Sequence, residues 1–428
     1  MECPLEPNFP SPLISVFAYH NKEFTSFVVQ GEKSDGGLVI THEFHFDSLM
    51  KIITSGFPRL KTLSFKKLQV PVKALEILMR NRKSTKLRAL CFHEVVISAE
   101  TTAARSQNTM NLTFPSEMLL FNSSVINGMV FPKMMLAEVE KLVITLTSLS
   151  EIAKALTACR DLFRESRVKS IHLVLNLNAF MPDAVSSIGD ILSVCTEKLE
   201  ALTFSFHYIP EDSQEILKLF DVIRDIRTCR SMKKFVICGQ KSILKDDSFA
   251  HLMDWLSTCN DLTEICLGGL SEVTDFAPLS SISKVKKLAI YGAQQLSGSW
   301  LAHFVANSVT LNQLYLRNCA EVRPEVVLHL LATCKNLVAF EVRDCGRYSV
   351  KFFERLVSMK IGDHLKFLNF VYFAEMTSTL LHKLKEKFAS VSYRHRIRCR
   401  IDVKNDAEWF RIRSVSPKLL ACSSCGGL

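Results

Sequence analysis

The chain has 428 residues, of which 48% are hydrophobic and 22% are charged, and its formal net charge is +10. This composition is ordinary for a folded protein, but the length exceeds the size at which one globular core stops growing. No run of 18 apolar residues occurs, and the first twenty residues lack the basic region and apolar block of a secretory signal peptide. The 14 cysteines are therefore expected to be reduced thiols in a cytoplasmic or nuclear protein.

Two runs near the start of the chain alternate apolar and polar residues. They cover residues 24–30 and 38–46 and flank a glycine-rich segment, which predicts a β-hairpin. Residues 1–46 are therefore predicted to form a β-rich cap on a repeat array, since terminal repeats need a polar outer face. His42, Glu43 and His45 invite comparison with a zinc-protease helix, but that motif needs its second histidine at Phe46. No metal site is predicted there.

One phrase recurs every 23 to 33 residues between residues 47 and 390: an apolar residue, two variable ones, an apolar residue, one variable, and another apolar residue. It begins at Leu60, Leu87, Val139, Val168, Leu199, Met232, Leu262, Val285, Leu311, Leu337 and Leu365. A fixed period of this size is typical of a solenoid. The gap of 52 residues between Leu87 and Val139 is twice 26, which predicts a degenerate unit near residues 111–114.

Each phrase predicts a short strand with one buried face, and the residues after it predict a helix. In the unit that begins at Leu311, Leu314 and Leu316 should point inward, and the residues between them outward. Pro324 suits a first helical turn, and the apolar residues after it follow at helical spacing. A single strand and helix cannot bury both apolar faces, so neighbouring units must share one core.

Cysteines recur at fixed places in the repeats. Five stand three or four residues before a Leu or Met, and three follow a strand: Cys159, Cys195, Cys229, Cys259 and Cys334, then Cys238, Cys319 and Cys345. The run from Leu331 to Cys345 thus resembles the cysteine-containing leucine-rich repeat of F-box proteins, which select targets for ubiquitination. Buried packing, rather than redox or metal chemistry, is the interpretation favoured for these thiols.

This resemblance covers residues 47–390 and carries expectations for fold and function. It implies an α/β leucine-rich-repeat solenoid (a horseshoe), with a parallel β-sheet on the concave face and helices on the convex face. It also implies a target-recognition adaptor of a ubiquitin ligase, with ligase subunits among its partners. An F-box would be a helical segment ahead of the repeats with a Leu-Pro start, and none is found in residues 1–46.

The end of the chain, residues 391–428, is predicted to form capping strands and a tail. Val391 lies 26 residues after Leu365, which predicts a last strand, and four arginines alternate along it: Arg394, Arg396, Arg398 and Arg400. One interpretation is a cap whose charges prevent edge-to-edge pairing. The alternative is an anion-binding ladder for phosphate, nucleic acid or an acidic partner. Stacking aromatics are missing from the arginine face, which argues against single-stranded nucleic acid.

The last residues and the rest of the chain offer little chemistry. Cys422 and Cys425 have the spacing of half a zinc site, and the final four residues match a prenylation box except that two glycines replace the aliphatic residues. A solvated tail without metal or lipid is predicted. No phosphate-binding loop, nucleophile elbow or paired catalytic constellation occurs, so the prediction is a protein that is not an enzyme and binds no cofactor.

The outward residues of the phrases become larger in the C-terminal half. The predicted partner-binding residues are Lys287, Tyr291, Gln313, Tyr315, Arg317, Glu341, Arg343, Phe367 and Asn369. Tyr and Arg dominate binding hot spots, although such aromatics can also simply cover neighbouring apolar residues. The predicted function is a non-catalytic scaffold that holds a partner protein on its concave face. The alternative is a nucleic-acid or polyanion binder that uses the terminal arginines.

Overall fold

Each repeat phrase of the sequence coincides with a strand of a parallel sheet in a computed structural model of the chain. The structure describes residues 2–4, 26–30, 33–34, 37–38, 43–66, 69–71, 74–75, 77–78, 87–93, 95–98, 118–122, 125–127, 139–146, 163–164, 166–176, 182–195, 197–208, 219, 223, 229–239, 242–282, 284–346, 348–359, 365, 367–371, 377–387 and 391–394. Two compact units divide the chain: Met1–Leu202 with Asp212–Arg227, and Thr203–Glu211 with Thr228–Leu428.

The first unit contains a main sheet of parallel strands. Its strands and helices are β1 Glu2–Pro4, β2 Ser26–Gln30, β3 Lys33–Ser34, β4 Gly37–Leu38, α1 Glu43–Gly56, β5 Thr62–Lys66, β6 Gln69–Pro71, β7 Ala89–His93, β8 Val96–Ser98, β9 Met118–Asn122, β10 Val125–Asn127, β11 Lys141–Leu146, β12 Ser170–Asn176 and α2 Pro182–Cys195. The main sheet has the order β1-β2-β5-β7-β9-β11-β12. A second parallel sheet has the order β10-β8-β6. Each of its strands comes directly after a strand of the main sheet (β9, β7 and β5), at a place where the sequence pattern predicts a helix.

The second unit repeats one strand and one helix more regularly. Strand β13, Ala201–Tyr208, contains the boundary between the units. The following elements are β14 Lys234–Gly239, α3 Asp246–Ser257, β15 Glu264–Gly268, a 3₁₀ helix Ala277–Ser281, β16 Lys287–Tyr291, α4 Gly298–Asn307, β17 Gln313–Arg317, α5 Pro324–Thr333, β18 Ala339–Arg343, α6 Val350–Ser358, β19 Phe367–Val371, α7 Ser378–Lys387 and β20 Val391–Arg394. Strands β14 to β20 pair in parallel with their neighbours in chain order.

The apolar positions of the phrase form the core. Leu314 and Leu316 are fully buried, and so are their counterparts on β16 and β18. Helix α5 begins at Pro324 as predicted and buries Val327 and Leu331 on the same side. Such burial stabilises by about 25 cal/mol for each Å² of apolar surface removed from water. The predicted α/β leucine-rich-repeat solenoid with a parallel sheet is therefore confirmed.

Backbone hydrogen bonds fix the start of each strand. The carbonyl oxygen of Lys233 accepts from the N–H groups of Thr263 and Glu264, each at 2.9 Å. The carbonyl oxygen of Lys286 likewise accepts from the N–H groups of Asn312 and Gln313, at 2.9 and 3.0 Å. The residue that precedes each strand is thereby held in place by the next strand of the sheet.

A left-handed residue ends four successive strands of the second unit. These residues are Gly269 (φ 73°), Gly292 (φ 74°), Asn318 (φ 53°) and Asp344 (φ 55°). Glycine adopts this conformation without steric cost, and Asn and Asp tolerate it better than other residues. The N–H of Gly292 donates to the carbonyl of Arg317, and the N–H of Asn318 donates to the carbonyl of Arg343. The turns after β16 and β17 thus share the same backbone conformation and the same hydrogen bond to the next strand.

The predicted N-terminal hairpin is wrong. Strand β2 pairs in parallel with β1 and β5, and the second half of the predicted hairpin lies in helix α1 from Glu43 onward. The apolar residues that suggested alternation also fit helical spacing, and α1 buries Leu49, Met50 and Ile53. Helix α1 crosses the predicted domain boundary between residues 46 and 47, and the three predicted domains stay a prediction.

Two repeat strands escaped the sequence pattern. Phe27 and Val29 of β2 pair with Leu63 and Phe65, so Phe24 begins a phrase that lies 36 residues before Leu60, outside the usual spacing. The gap between Leu87 and Val139 does contain one further repeat strand, β9, which pairs with β7 and β11, but it lies at Met118–Asn122, after the residues from which it was predicted. Its phrase would begin at the polar Ser116, which hid it in the sequence, and residues 111–114 lie outside the described residues.

Candidate partner-binding surface

The outer face of the second unit's sheet consists of the residues that alternate with the core positions of β16–β19. Cross-strand register places them in three rows: Lys287, Gln313, Ala339 and Phe367; Ala289, Tyr315, Glu341 and Asn369; and Tyr291, Arg317, Arg343 and Val371. Neighbouring strands lie about 4.8 Å apart. All nine residues predicted from the sequence are thus brought together on four adjacent strands, and their role in binding stays a prediction.

The first row continues onto two further strands with alternating charge. Lys234 of β14 and Glu264 of β15 stand in register with Lys287. The carboxylate of Glu264 lies 3.6 Å from the amino group of Lys234 and 3.4 Å from that of Lys287. Partly exposed pairs like these contribute little to stability, but they orient both lysine side chains. Sequence reasoning missed Lys234 and Glu264, although the alternation of charge across adjacent phrases could have revealed them.

Tyr315 lies on the outer face but is almost completely covered. Its side chain is 5% exposed, and its hydroxyl donates to the side-chain carbonyl of Gln313 at 3.1 Å. The amino group of Lys287 lies 5.9 Å from the centre of the tyrosine ring, within the range of a cation–π contact. The expectation of an exposed aromatic at Tyr315 is therefore wrong, because its long neighbours fold over a ring that has the small Ala289 on one side.

Two arginines of the third row share one carboxylate. The Nε atoms of Arg317 and Arg343 lie 3.8 and 3.5 Å from the same oxygen of Asp344. Asp344 is the left-handed residue that follows β18, so the turn itself presents the carboxylate to both arginines. Sequence reasoning missed Asp344, which lies outside the phrase. Its position directly after a strand, where Asn or Gly stands in other repeats, was the available signal.

The remaining outer residues differ in how much surface they offer. Asn369 is 7% exposed and donates its side-chain N–H to the Glu341 carboxylate at 2.9 Å. Tyr291, Phe367 and Glu341 are half-buried. A partner would therefore contact mainly the partly exposed Tyr, Phe, Arg, Gln, Glu and Lys side chains, with Tyr315 and Asn369 beneath them as support.

The cysteines of the repeats can be compared by their burial and by their bonding. Every cysteine whose side chain the structure describes is a free thiol, and all but Cys266 are buried. Burial raises the pKa of Cys195 and of Cys259 to about 11. A thiol with a raised pKa is a poor nucleophile and a poor metal ligand at neutral pH, which supports the packing interpretation. Cys159 lies outside the described residues.

Two cysteines occupy equivalent places in adjacent repeats. Cys319 and Cys345 follow β17 and β18, and the N–H of Cys319 donates to the Cys345 sulfur at 3.4 Å. The Cys345 thiol donates to the carbonyl of Arg343 at 3.2 Å. The hydrogen bond with Cys345 and burial both raise the pKa of Cys319. These thiols satisfy backbone groups in the turn. Cys238, in contrast, lies within β14 and contacts the hydroxyl of Ser205 at 3.2 Å.

Most of the residues considered for metal, lipid or anion binding at the two ends of the chain lie outside the described residues. Within the described part, no group of three or more His, Cys, Asp or Glu is placed to hold a metal ion. The helices that are described include none long and apolar enough to cross a membrane. Val391 and Arg394 of β20 pair with Leu368 and Val371, which puts Arg394 at an outward register position. Arg396, Arg398, Arg400, Cys422 and Cys425 lie outside the described residues.

Comparison with known proteins yields structural likenesses only. No family model and no curated protein matches the chain. A chain of the TLR13–ssRNA13 complex is 14% identical with a TM-score of 0.48, over 89% of this chain and 57% of that one. A chain of the Rad7 and Elc1 complex of yeast is 11% identical with a TM-score of 0.44, over 91% of this chain and 82% of that one. These values are too low to transfer a function, and the fold rests on the strand register and packing given above.

Proposed function

We propose that this protein is a non-catalytic scaffold that binds a partner protein on the outer face of β16–β19. The observation that carries the proposal is the ordering of this face by its own contacts, above all the two arginines that share the Asp344 carboxylate. Side chains that are fixed before binding lose little conformational entropy when a partner arrives. Tyr and Arg, which dominate hot spots, stand next to each other in the third row.

The finer proposal is a target-recognition adaptor of a ubiquitin ligase. It rests on the resemblance of the repeats to the cysteine-containing type found in F-box proteins. Because residues 1–46 show no F-box pattern, attachment to a ligase would need another surface of the chain. Ligase subunits that co-purify with the protein independently of the outer face would support this version.

The test compares proteins captured from cells by the tagged full chain and by a variant of the outer face. The variant is Tyr291→Ala/Arg317→Ala, which removes two partly exposed side chains without opening the core. The matched control is Lys351→Ala/Arg355→Ala, which changes two exposed residues of helix α6.

Mass spectrometry should find a protein that is lost with the outer-face variant and kept with the control. The purified protein should then bind the wild-type chain directly, and at least about tenfold more weakly the outer-face variant. A partner lost equally with both variants, or with neither, contradicts the proposal.

A second candidate function is binding of nucleic acid or another polyanion through the arginine ladder. It is favoured by the register of Arg394, which extends the third row that already holds Arg317 and Arg343. Replacement of Arg394, Arg396, Arg398 and Arg400 by alanine should then abolish polyanion binding. The affinity of the wild type should also fall steeply with salt, as counterion release requires.

A further inference from the structure

The starts of strands β14–β16 carry a concentration of positive charge. Within these three repeats the residues just before and at the first position of the strands include six basic side chains: Arg230, Lys233, Lys234, Lys284, Lys286 and Lys287. The acidic residues described in the same places are Asp261 and Glu264, so the net charge is +4. We name these six basic residues the basic edge. Arg230, Lys233, Lys284 and Lys286 are exposed, and Lys234 and Lys287 are half-buried.

The basic edge is held by the backbone of the sheet. The carbonyl groups of Lys233 and Lys286 each accept two N–H groups from the following strand, as described above. These two residues are two strands apart, which corresponds to about 10 Å. That separation slightly exceeds the screening length of about 8 Å at physiological salt, so the two exposed charges repel each other only weakly. An anionic group placed between them would lie within the screening length of both lysines.

The opposite ends of the same strands have the opposite sign. The described residues that follow β14–β16, up to the first turn of helix α3, include Asp246, Asp247, Glu272 and Asp275 against the single Lys245, a net charge of −3. The carboxylate of Asp246 accepts hydrogen bonds from the N–H groups of Thr274 and Asp275 and from the Thr274 hydroxyl, which lower its pKa. The positive charge is thus localised at one end of the strands and does not simply reflect the basic composition of the chain.

We infer that the basic edge binds an acidic polypeptide segment of the partner protein. This inference rests on the proposed function, because Lys287 belongs both to the basic edge and to the outer face. Five of the six residues are lysines, which act as point charges and impose no fork-like geometry on a phosphate. The described residues of the edge include no aromatic side chain on which a base could stack. Lysine side chains are long and flexible, so those of β14 and β16, about 10 Å apart, can reach carboxylates that lie about 7 Å apart on alternate residues of an extended peptide.

The experiment measures binding of a fluorescein-labelled oligoglutamate peptide to the full chain by fluorescence anisotropy. The test variant is Lys233→Glu/Lys286→Glu. The matched control is Lys351→Glu/Lys383→Glu, which makes the same change of charge at exposed positions on helices α6 and α7. We expect the test variant to bind at least about tenfold more weakly than the wild type, and the control to stay within about twofold. Circular dichroism of both variants checks that the fold is kept.

Three results would overturn the inference. These are no binding of the peptide by the wild-type chain, equal loss of binding in both variants, and tighter binding of an oligouridylate of equal charge, which would move the partner to nucleic acid. The two proposals can also fail separately. If the captured partner depends on Tyr291 and Arg317 but not on Lys233 and Lys286, this inference fails and the scaffold stands. If the peptide binds the basic edge while no protein depends on the outer face, only the proposed scaffold fails.

Discussion

The two faces of the sheet in the second unit follow different rules. Along one row of the inner face the residues are Leu288, Leu314, Phe340 and Leu368, each at most 1% exposed. One position earlier, on the outer face, the same four strands carry Lys287, Gln313, Ala339 and Phe367. Packing restricts the inner row to large apolar residues, whereas the outer row varies in size and charge. The inner face therefore supplies the packing that stabilises the sheet, whereas the outer face can vary, as the proposed binding role requires.

The largest effect should come from a pair of phenylalanines on opposite faces of β19. Phe370 is 1% exposed and its ring packs against Tyr348, Phe352 and Phe353 at 5.4 to 5.8 Å between centroids. Phe370→Ala should lower the free energy of unfolding by about 3–5 kcal/mol, because it opens a cavity. Phe367→Ala, on the outer face, should cost about 1 kcal/mol. Urea unfolding of the two variants measures both values. Equal losses would mean that β19 does not have one buried and one accessible face.

A smaller effect on stability should appear when the buried thiol of Cys259, which lies between helix α3 and strand β15, titrates. Burial raises its pKa to about 11 in the folded state, while an exposed thiol has a pKa of about 8.5. Below the lower value both states are protonated and the stabilisation is complete. As the pH rises towards 11, the unfolded state ionises first, so stability should fall by about 1.4 kcal/mol for each pH unit between the two pKa values.

The measurement compares wild type and Cys259→Ala by urea unfolding at pH 8 and at pH 10. At pH 8 the wild type should be more stable than Cys259→Ala, because the variant loses a packed side chain. This difference in the free energy of unfolding should narrow by about 2 kcal/mol at pH 10. The control is Leu256→Ala, which changes a fully buried residue of helix α3, three positions before Cys259, that does not titrate. The difference in the free energy of unfolding between the wild type and Leu256→Ala should be the same at both pH values. A constant deficit for Cys259→Ala as well would show that the thiol is accessible to water.

The difference between the faces also explains what could be predicted from the sequence. The inner positions repeat, so every strand whose phrase begins with an apolar residue at the usual spacing was found. Strand β2, whose phrase lies 36 residues before the next one, was missed as a repeat strand, and the strand preceded by the polar Ser116 was placed only approximately. Over residues 38–46 the apolar residues fit both a strand and the helix that begins at Glu43, and the pattern alone could not decide between them.

The outer face has no pattern of its own to read. Which residues share it follows from the register, and the sequence therefore identified all nine. How exposed each residue is depends on its neighbours on the same strand and on the adjacent one. Tyr315, for example, is covered by Gln313 of its own strand and by Lys287 of the preceding repeat. Asp344 joins Arg317 and Arg343 only because the turn after β18 has a positive φ. Such cross-strand contacts depend on side-chain placement that periodicity does not specify.

The smallest effect should arise at the turn that separates the repeated strand from its variable loop. Asn318 has a φ of 53°, and its counterpart Gly292 has a φ of 74° with no atom closer than 4.0 Å to an added Cβ. Asn318→Gly should therefore change the free energy of unfolding by no more than about 0.5 kcal/mol. Asn318→Ala and Gly292→Ala should each lower the free energy of unfolding by about 1 kcal/mol, since the left-handed conformation is sterically unfavourable for alanine even though its Cβ does not crowd the surroundings.

If the alanine variants are as stable as the wild type in thermal unfolding, the turn can relax to a negative φ. The carboxylate of Asp344, one repeat further on, would then not be fixed by the backbone, and the ordering of Arg317 and Arg343 would have to come from the arginines themselves.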